Sequence, residues 1–432
     1  MISAAEGTAG YSTYQHEIGT HASASPFGRD ITPKERETLL SSKELTATPI
    51  YTVNHTGRIR KVTFSPHGNY LATSSQDGTT SISKLHGGQW AKLYTVPKAP
   101  NQGYSTYNWA LCASFNPQET RVATSNHSNE ITVHRITDNG CEIEEILRPG
   151  GTLGCAETIA FSSSGERIAV GTFLRHSHLK IYKLDNEHWS EEASINLKGI
   201  DGSNNPHSVS NPVFSPDENY IMASYGSLAL LFKNAGNGQW NKVAGTLHAD
   251  FVTSIKFSHD GQRIISSDQK GFVKIHQLEN DQLLLEDCLE HGNYVKSAEF
   301  SPDDKRVVTA SCDKTARVTQ LANGRWQTEH TIAHDNTVED ARFSPDSCHV
   351  VTASFDDKAH VHGLYGGKWV RKVTLENGGP LMSVNFNHNG TQVITGGTGA
   401  RTGERVELVG GGWVDRFAKD NEAKVWLLEK KS

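Results

Sequence analysis

A phenylalanine followed by a small or polar residue recurs eight times along this chain of 432 residues. The residues after it often read Ser-Pro, and the last five copies are each 43 residues apart. Self-similarity at a fixed period means that the chain is built from repeated units, each of which must stack on its neighbours to bury a core. The residues that mark the repeat are Phe64, Phe115, Phe161, Phe214, Phe257, Phe300, Phe343 and Phe386.

The sixth repeat shows the unit most clearly. Short strands are predicted at Tyr294–Phe300, Arg306–Ser311 and Thr315–Leu321, and a fourth strand begins at Trp326. The turns between them are rich in Pro, Asp, Asn and Gly, which is the pattern of a four-stranded antiparallel meander. A period of about 40–45 residues with four strands in each unit is typical of the blade of a β-propeller.

The number of strands predicts how the ring closes. Alignment of the repeats gives eight copies of the first three strands but only seven of the fourth, since the chain ends soon after a third strand, Ala423–Leu428. An extended segment before the first repeat, Thr48–Val53, has the length and pattern to supply the missing strand. We therefore predict an all-β fold, a single β-propeller of eight four-stranded blades over residues 47–429, closed by an N-terminal strand. Because the second and fourth repeats are irregular, seven blades are the alternative.

Two segments fall outside the repeats. Residues 1–46 form a polar tail, in which a capping box at Thr32-Pro33-Lys34-Glu35 predicts a short helix near 33–42. The tail is interpreted as a brace for the ring, with a partner-binding segment or a secretion signal as the alternative. In the last blade a glycine-rich insertion, 398–419, is predicted to be a loop that either binds a partner or has no function, and it carries Trp413 and Arg416.

Composition and charge exclude several function classes. The net charge of -6 gives no long-range attraction for nucleic acid. No apolar run approaches the roughly 18–20 residues needed to cross a bilayer, so we expect no membrane insertion. Six cysteines lie far apart without a Cys-x-x-Cys pair, which indicates reduced thiols. The first 28 residues contain no Lys or Arg and no apolar core, so we expect no secretory leader and a cytoplasmic protein.

Three repeats share a histidine, a serine 20 residues later and an aspartate two residues after the serine. The eighth repeat has Trp426 on its third strand but Asn377 at the histidine position, and the fifth keeps His248 but has Lys270 at the aspartate position. With these residues the chain resembles the WD-repeat β-propeller family, over about 380 of its residues. The three sets are His55, Ser75 and Asp77; His291, Ser311 and Asp313; and His334, Ser354 and Asp356.

Histidine, serine and aspartate together also suggest a serine hydrolase. A catalytic triad is needed once, whereas these residues recur with the period of the fold, and no Gly-x-Ser-x-Gly elbow is present. We interpret them as structural hydrogen-bond networks that join the turn aspartate to the histidine and nearby backbone. His360 and His362 are spaced to lie on one strand face, but no carboxylate or cysteine stands beside them at ligand spacing, so no metal and no cofactor is predicted.

The resemblance implies a rigid disc that binds other proteins through one face and its rim. The loops that would line this face carry aromatic and arginine side chains, the residue types that dominate binding hot spots. The leading hypothesis is a non-enzymatic, monomeric scaffold or adaptor that binds a peptide or protein. The alternatives are a secreted bacterial effector that acts as an adaptor in a host cell, linked to ubiquitination, and more distantly a propeller enzyme. The candidate binding residues are Arg58, Gln76, Trp109, Phe251, Tyr294, Phe355, Trp413 and Arg416.

Overall fold

The structure is a computed structural model that describes most of the repeat region. The described residues are 41–98, 109–127, 130–150, 158–172, 177–202, 207–399, 401–407, 413–417 and 421–431, and within 401–407 and 413–417 only the backbone is described. The helix predicted near 33–42 and the tail that carries the secretion alternative lie outside these residues, apart from 41–46.

The described residues form strands and turns. In the first half of the chain the strands are β1 (Leu45–His55), β2 (Ile59–Phe64), β3 (Tyr70–Ser75), β4 (Thr80–His86), β5 (Gln89–Val96), β6 (Ala110–Phe115), β7 (Arg121–Asn126), β8 (Ile131–Thr137), β9 (Gly140–Leu147), β10 (Ile159–Phe161), β11 (Arg167–Gly171), β12 (His178–Asp185), β13 (His188–Asn196), β14 (Val209–Phe214), β15 (Tyr220–Tyr225), β16 (Leu228–Gly236) and β17 (Gln239–Leu247).

The second half of the chain also consists of strands separated by short turns. Its strands are β18 (Val252–Phe257), β19 (Arg263–Asp268), β20 (Phe272–Glu279), β21 (Gln282–Glu290), β22 (Val295–Phe300), β23 (Arg306–Ser311), β24 (Thr315–Ala322), β25 (Arg325–Ala333), β26 (Val338–Phe343), β27 (His349–Ser354), β28 (Lys358–Tyr365), β29 (Lys368–Glu376), β30 (Leu381–Phe386), β31 (Gln392–Gly397), β32 (Arg401–Glu407), β33 (Trp413–Phe417) and β34 (Asn421–Lys430).

These strands assemble into eight four-stranded sheets within the described part of the chain. Blades 1 to 7 are the consecutive meanders β2–β5, β6–β9, β10–β13, β14–β17, β18–β21, β22–β25 and β26–β29, and blade 8 has the order β1-β34-β31-β30. The prediction of eight blades is therefore confirmed, and the seven-bladed alternative is wrong.

The N-terminal strand closes the ring. β1 pairs antiparallel with β34, from Leu45 opposite Lys430 to His55 opposite Asn421. It occupies the outer position that the fourth strand takes in the other blades. Blade 8 thus contains strands from both ends of the chain, so opening the ring requires breaking the hydrogen bonds of a sheet.

The core is divided among the contacts between blades. Each of the eight apolar clusters contains buried residues from two neighbouring blades, and the cluster between blades 8 and 1 joins Ile394 and Val425 to Ile59 and Phe64. One twisted sheet cannot cover both of its faces, but a closed ring of sheets can. The repeating phenylalanines are part of these clusters.

Five tryptophans at the starts of outer strands also lie between blades. Trp90 is buried, its ring centroid is 5.7 Å from that of Phe64 in the same blade, and its indole N–H donates to Gln392 of blade 8. Trp326 lies 6.0 Å from Phe300 and donates to Glu286 of blade 5. The other three are Trp189, Trp240 and Trp369.

The Ser-Pro turns after the phenylalanines explain the repeat motif. In blade 6 the hydroxyl of Ser301 donates to Asp303 at 2.6 Å, and its oxygen accepts the backbone N–H of Arg306 at 3.0 Å. Asp304 has a φ of 56°, a left-handed conformation that favours Gly, Asn and Asp. The motif therefore encodes a buried aromatic ring followed by a tight turn.

The insertion in blade 8 differs from its prediction as a loop. Strands β32 and β33 pair antiparallel as a two-stranded sheet, with Glu407 opposite Trp413. The side chains of Trp413 and Arg416 lie outside the described part. The main sheet continues across the insertion, because β31 pairs directly with β34.

Candidate functional site

One face of the disc carries both the histidine networks and the candidate binding residues. We call it the upper face, and it consists of the loops that precede the innermost strands and the turns between the second and third strands of each blade. A backbone hydrogen bond joins these two segments. Gln76 N–H donates to the carbonyl of Arg58 at 2.8 Å in blade 1, and Phe355 N–H donates to that of Thr337 at 2.9 Å in blade 7.

In three blades a buried histidine joins the two segments through its side chain. In blade 6, His291 Nδ1 donates to Asp313 at 2.8 Å, and Nε2 accepts from the hydroxyl of Thr309 at 2.7 Å. The corresponding distances are 3.1 and 2.8 Å for His55 with Asp77 and Thr73, and 2.8 and 2.7 Å for His334 with Asp356 and Thr352.

The serine of each set bonds to backbone groups and not to the histidine. The partner of the histidine is a threonine two residues earlier on the second strand. Ser311 instead donates to the carbonyl of Asn293 at 3.0 Å and accepts the backbone N–H of Asp313 at 3.0 Å. It therefore holds the turn against the preceding loop. Ser75 and Ser354 make the same contacts in blades 1 and 7.

Blade 5 contains a fourth network that the sequence analysis missed. His248 Nδ1 donates to Asp268 at 3.1 Å, and Nε2 lies 2.8 Å from the hydroxyl of Ser266. Asp268 stands where the other blades have the serine, two residues before Lys270. The loss of aspartate from its usual position is compensated, since a carboxylate two residues earlier still reaches the imidazole.

Blade 8 combines the tryptophan with an asparagine. The indole N–H of Trp426 donates to Thr395 Oγ1 at 2.9 Å, and the Thr395 hydroxyl donates to Asn377 Oδ1 at 2.9 Å. All three side chains are buried. Asn377 thus replaces histidine as the group that accepts from the threonine.

Hydrogen bonds hold two of the network aspartates, Asp77 and Asp313, in the ionised form. Burial by itself would raise the pKa of Asp313, but hydrogen bonds from His291 and Thr315 bring that pKa well below its usual range. Burial would also raise the pKa of Asp77, but hydrogen bonds from His55 and Thr79 outweigh burial and lower that pKa well below its usual range. Each carboxylate also accepts backbone N–H groups, so its charge stabilises the loop structure of the upper face.

The arrangement of Asp, His and hydroxyl has the order of a hydrolase triad, but its position excludes that chemistry. The hydroxyl-bearing residues Thr73, Thr309, Thr352 and Ser266 are all 1% exposed or less. A nucleophile must meet its substrate within about 3 Å, which such burial prevents. These groups therefore stabilise the blades.

No group of three or more His, Cys, Asp or Glu side chains in the described part is placed to hold a metal ion. No helix among the same residues is long and apolar enough to span a membrane.

Aromatic side chains lie on the upper face around the entrance to the central channel. Phe251 is 46% exposed, and one side of its ring packs on His207, with centroids 5.6 Å apart. Tyr294 in the next blade is half-buried, with the ammonium group of Lys296 4.7 Å from its ring centroid. Phe355 follows in blade 7, also half-buried.

On the other side of the entrance, blades 1 and 2 contribute arginine and tryptophan. Trp109 is half-buried, and the guanidinium carbon of Arg60 lies 5.7 Å from its ring centroid. His127 meets the same ring edge-on at 5.1 Å. In blade 1, Arg58 is exposed and Gln76 is half-buried.

Comparison with known proteins agrees with this geometry. A sequence profile of the family described as "WD domain, G-beta repeat" matches residues 47–82, 242–277, 284–319 and 326–362. The chain is a WD-repeat β-propeller. Among solved structures, the crystal structure of the C-terminal WD40 domain of Sif2 is similar, with a TM-score of 0.66 and 12% sequence identity, over 89% of this chain and 99% of that one.

These similarities show the fold of the propeller alone. In all, 1796 chains of solved structures match it, so the likeness is shared too widely to name a partner. No curated protein sequence matches the chain. The function has to be argued from the side chains.

The propeller brings the predicted binding residues into two groups. Phe251, Tyr294 and Phe355 belong to the consecutive blades 5, 6 and 7, whereas Arg58 and Trp109 belong to blades 1 and 2. The first group therefore lies on three neighbouring blades, and we name these three residues the aromatic arc.

Proposed function

We propose that this propeller is a non-enzymatic scaffold or adaptor that binds a peptide or protein on its upper face. The observation that carries the proposal is the aromatic arc, in which three adjacent blades each have a partly exposed aromatic ring in a loop of the upper face. Phe251 is almost half exposed although it lies in a loop that hydrogen bonds hold in place. A large apolar side chain on a rigid surface gains free energy when a partner covers it.

The chemistry of the face indicates the kind of partner. Aromatic and arginine side chains give large contact area at a small cost in conformational entropy, and they are enriched among binding hot spots. The partly exposed Arg58 adds positive charge opposite the aromatic arc. A segment with an apolar residue flanked by an acidic one fits this combination.

Location and oligomeric state form part of the same proposal. We propose a monomeric protein of the cytoplasm. The support is that the described cysteines Cys141, Cys288, Cys312 and Cys348 are free thiols. Light scattering should give a mass near the 47.3 kDa of one chain, and twice that mass would contradict the monomer.

The experiment compares partner capture by three tagged proteins. The first is the wild-type chain, the second carries F251A, Y294A and F355A, and the third is a control with L285A. Leu285 is 55% exposed on the outer strand β21, so L285A also removes an exposed apolar side chain, but one that lies away from the upper face.

Partners that are retained by the wild type and by L285A but lost by the triple variant support the proposal. Their affinity should fall by at least about 30-fold, which corresponds to one hot-spot residue of about 2 kcal/mol. Undiminished binding by a triple variant that keeps its melting temperature would contradict it.

A further inference from the structure

A cavity of about 510 Å³ lies along the axis of the propeller and is lined by the innermost strands of all eight blades. Its lining includes Pro117, in the turn between β6 and β7, which is on the face opposite the upper face. None of the aromatic arc lines it. Lys296, whose ammonium group contacts the ring of Tyr294, lines the cavity, so the cavity adjoins the candidate binding site. Its volume is that of a small-ligand pocket.

Charged side chains are gathered on one side of this cavity. Blades 5, 6, 7 and 1 provide all of the charged groups among its described lining residues, while blades 2 to 4 provide neutral ones such as Cys112, Thr158 and Asn211. The cations are Lys61, Lys256, Lys296 and Arg342, and the carboxylates are Glu339 and Asp340.

Most of these charges are paired. Arg342 lies 2.7 Å from Glu299 and 3.0 Å from Asp340, and Lys296 lies 3.3 Å from Glu339. Glu299 also accepts the backbone N–H of Phe343 in blade 7 at 2.9 Å. The carboxylates are thus already engaged by cations and by backbone donors.

Lys256 is the cation that remains. It forms no ion pair or hydrogen bond with any described residue, although its side chain is accessible within the cavity. Lys61 has only a long contact, 3.9 Å, with Asp340. Two lysines therefore face a water-accessible space that holds more positive than negative charge.

We propose that this cavity binds an oxyanion, a carboxylate or phosphate group, between Lys256 and Lys61. Such a group would supply the charge-assisted hydrogen bonds that Lys256 lacks. The neutral hydroxyl and amide groups of blades 2 to 4 provide further donors on the opposite wall.

The test is isothermal titration of the full-length chain at neutral pH and low salt, with inorganic phosphate as one probe and a glutamate-rich hexapeptide as the other. We expect one site per chain, and K256M should weaken binding by about 30-fold or more. The matched control is K242M, which removes an exposed lysine of the outer strand β17 and should leave the affinity unchanged.

The two probes distinguish the source of the group. Tight binding of phosphate alone identifies a free oxyanion, whereas tighter binding of the peptide in competition with phosphate identifies an acidic segment of a protein. Binding of neither probe, or equal binding by K256M and the wild type, overturns the proposal.

A second measurement decides the case in which K256M fails to fold. A crystal of the wild-type chain soaked in selenate should show an anomalous peak within hydrogen-bonding distance of Lys256 Nζ. A channel without that peak would contradict the site.

Discussion

The replacement of His134 by phenylalanine should make the protein more resistant to acid. His134 is fully buried on β8, and neither ring nitrogen has a hydrogen-bond partner among the described residues. Burial lowers the pKa of this imidazole to about 4. The equivalent positions of blades 3 and 4 hold Tyr182 and Phe232, so an aromatic ring without a charge fits this site in the fold.

The sign and size of the effect follow from the lowered pKa. In the unfolded chain the imidazole takes up a proton near its ordinary pKa of 6.5, but in the folded protein it stays neutral until about pH 4. The cost of keeping it neutral is therefore absent above pH 6.5 and grows as the pH falls towards 4. At pH 5, about 1.5 pH units below the ordinary pKa, the lost stability is about 2 kcal/mol at about 1.36 kcal/mol per unit.

The assay is urea unfolding of the wild type and H134F, side by side, at pH 7.5 and pH 5.0. Effects of all other titrating groups are common to both proteins, so the difference in free energy of unfolding isolates His134. That difference should grow by about 2 kcal/mol in favour of H134F between the two pH values. The control H188F, at an exposed histidine of β13, should show no such growth. Growth below about 0.5 kcal/mol for H134F would refute the argument, because it would mean that the imidazole titrates alike in both states.

Two further predictions concern the hydrogen-bond networks, and both are measured by thermal and urea unfolding. D313N should lower the free energy of unfolding by about 3 kcal/mol, because an amide cannot accept every hydrogen bond that the carboxylate takes from His291 and the nearby backbone. The control D335N, at an exposed position, should lower it by less than about 0.5 kcal/mol. An equal cost for both would contradict the network. T395V should cost about 2–4 kcal/mol, since it leaves the buried indole N–H of Trp426 without its acceptor, and a change below about 0.5 kcal/mol would show that this hydrogen bond contributes nothing.

The architecture could be predicted from the sequence because the spacing of the repeat and the positions of the turns both define the same four-stranded unit. The spacing of 43 residues between successive phenylalanines from Phe214 to Phe386 and the Ser-Pro turns define the unit, and the missing outer strand requires a partner from the N-terminus. The structure adds the full extent of that strand, Leu45–His55, which begins before the predicted Thr48–Val53. Pairing with the 10-residue strand β34 lengthened it beyond what its own pattern shows.

The histidine networks could be predicted only in part. The imidazole of His248 needs a carboxylate oxygen near Nδ1, and the chain supplies it from Asp268 rather than from the position of Lys270. An aspartate 20 or 22 residues after the histidine, at the end of the second strand, can reach the imidazole Nδ1. A motif with one fixed spacing therefore misses the substitution, although the requirement for an acceptor is unchanged.

The charged cavity was missed because its residues are far apart in sequence and meet only when the ring closes. A signal is nevertheless present: Lys256, Glu299 and Arg342 are each the residue before a repeating phenylalanine, 43 residues apart. The residue at this position lines the cavity in every blade except blade 6, where Glu299 instead pairs with the lining residue Arg342. Comparing that position across the repeats would have brought the three charges together.

The central claim is that a partner binds on the aromatic arc. Its most direct test is a photo-crosslinking amino acid placed at Phe251 in one protein and at Leu285 in another, each irradiated in a lysate of the source cells. We expect a crosslinked partner from position 251 that the F251A, Y294A and F355A protein no longer retains, and none of that partner from position 285. Crosslinking of the same partner from position 285 alone would place binding on the outer rim and contradict the assignment of the upper face.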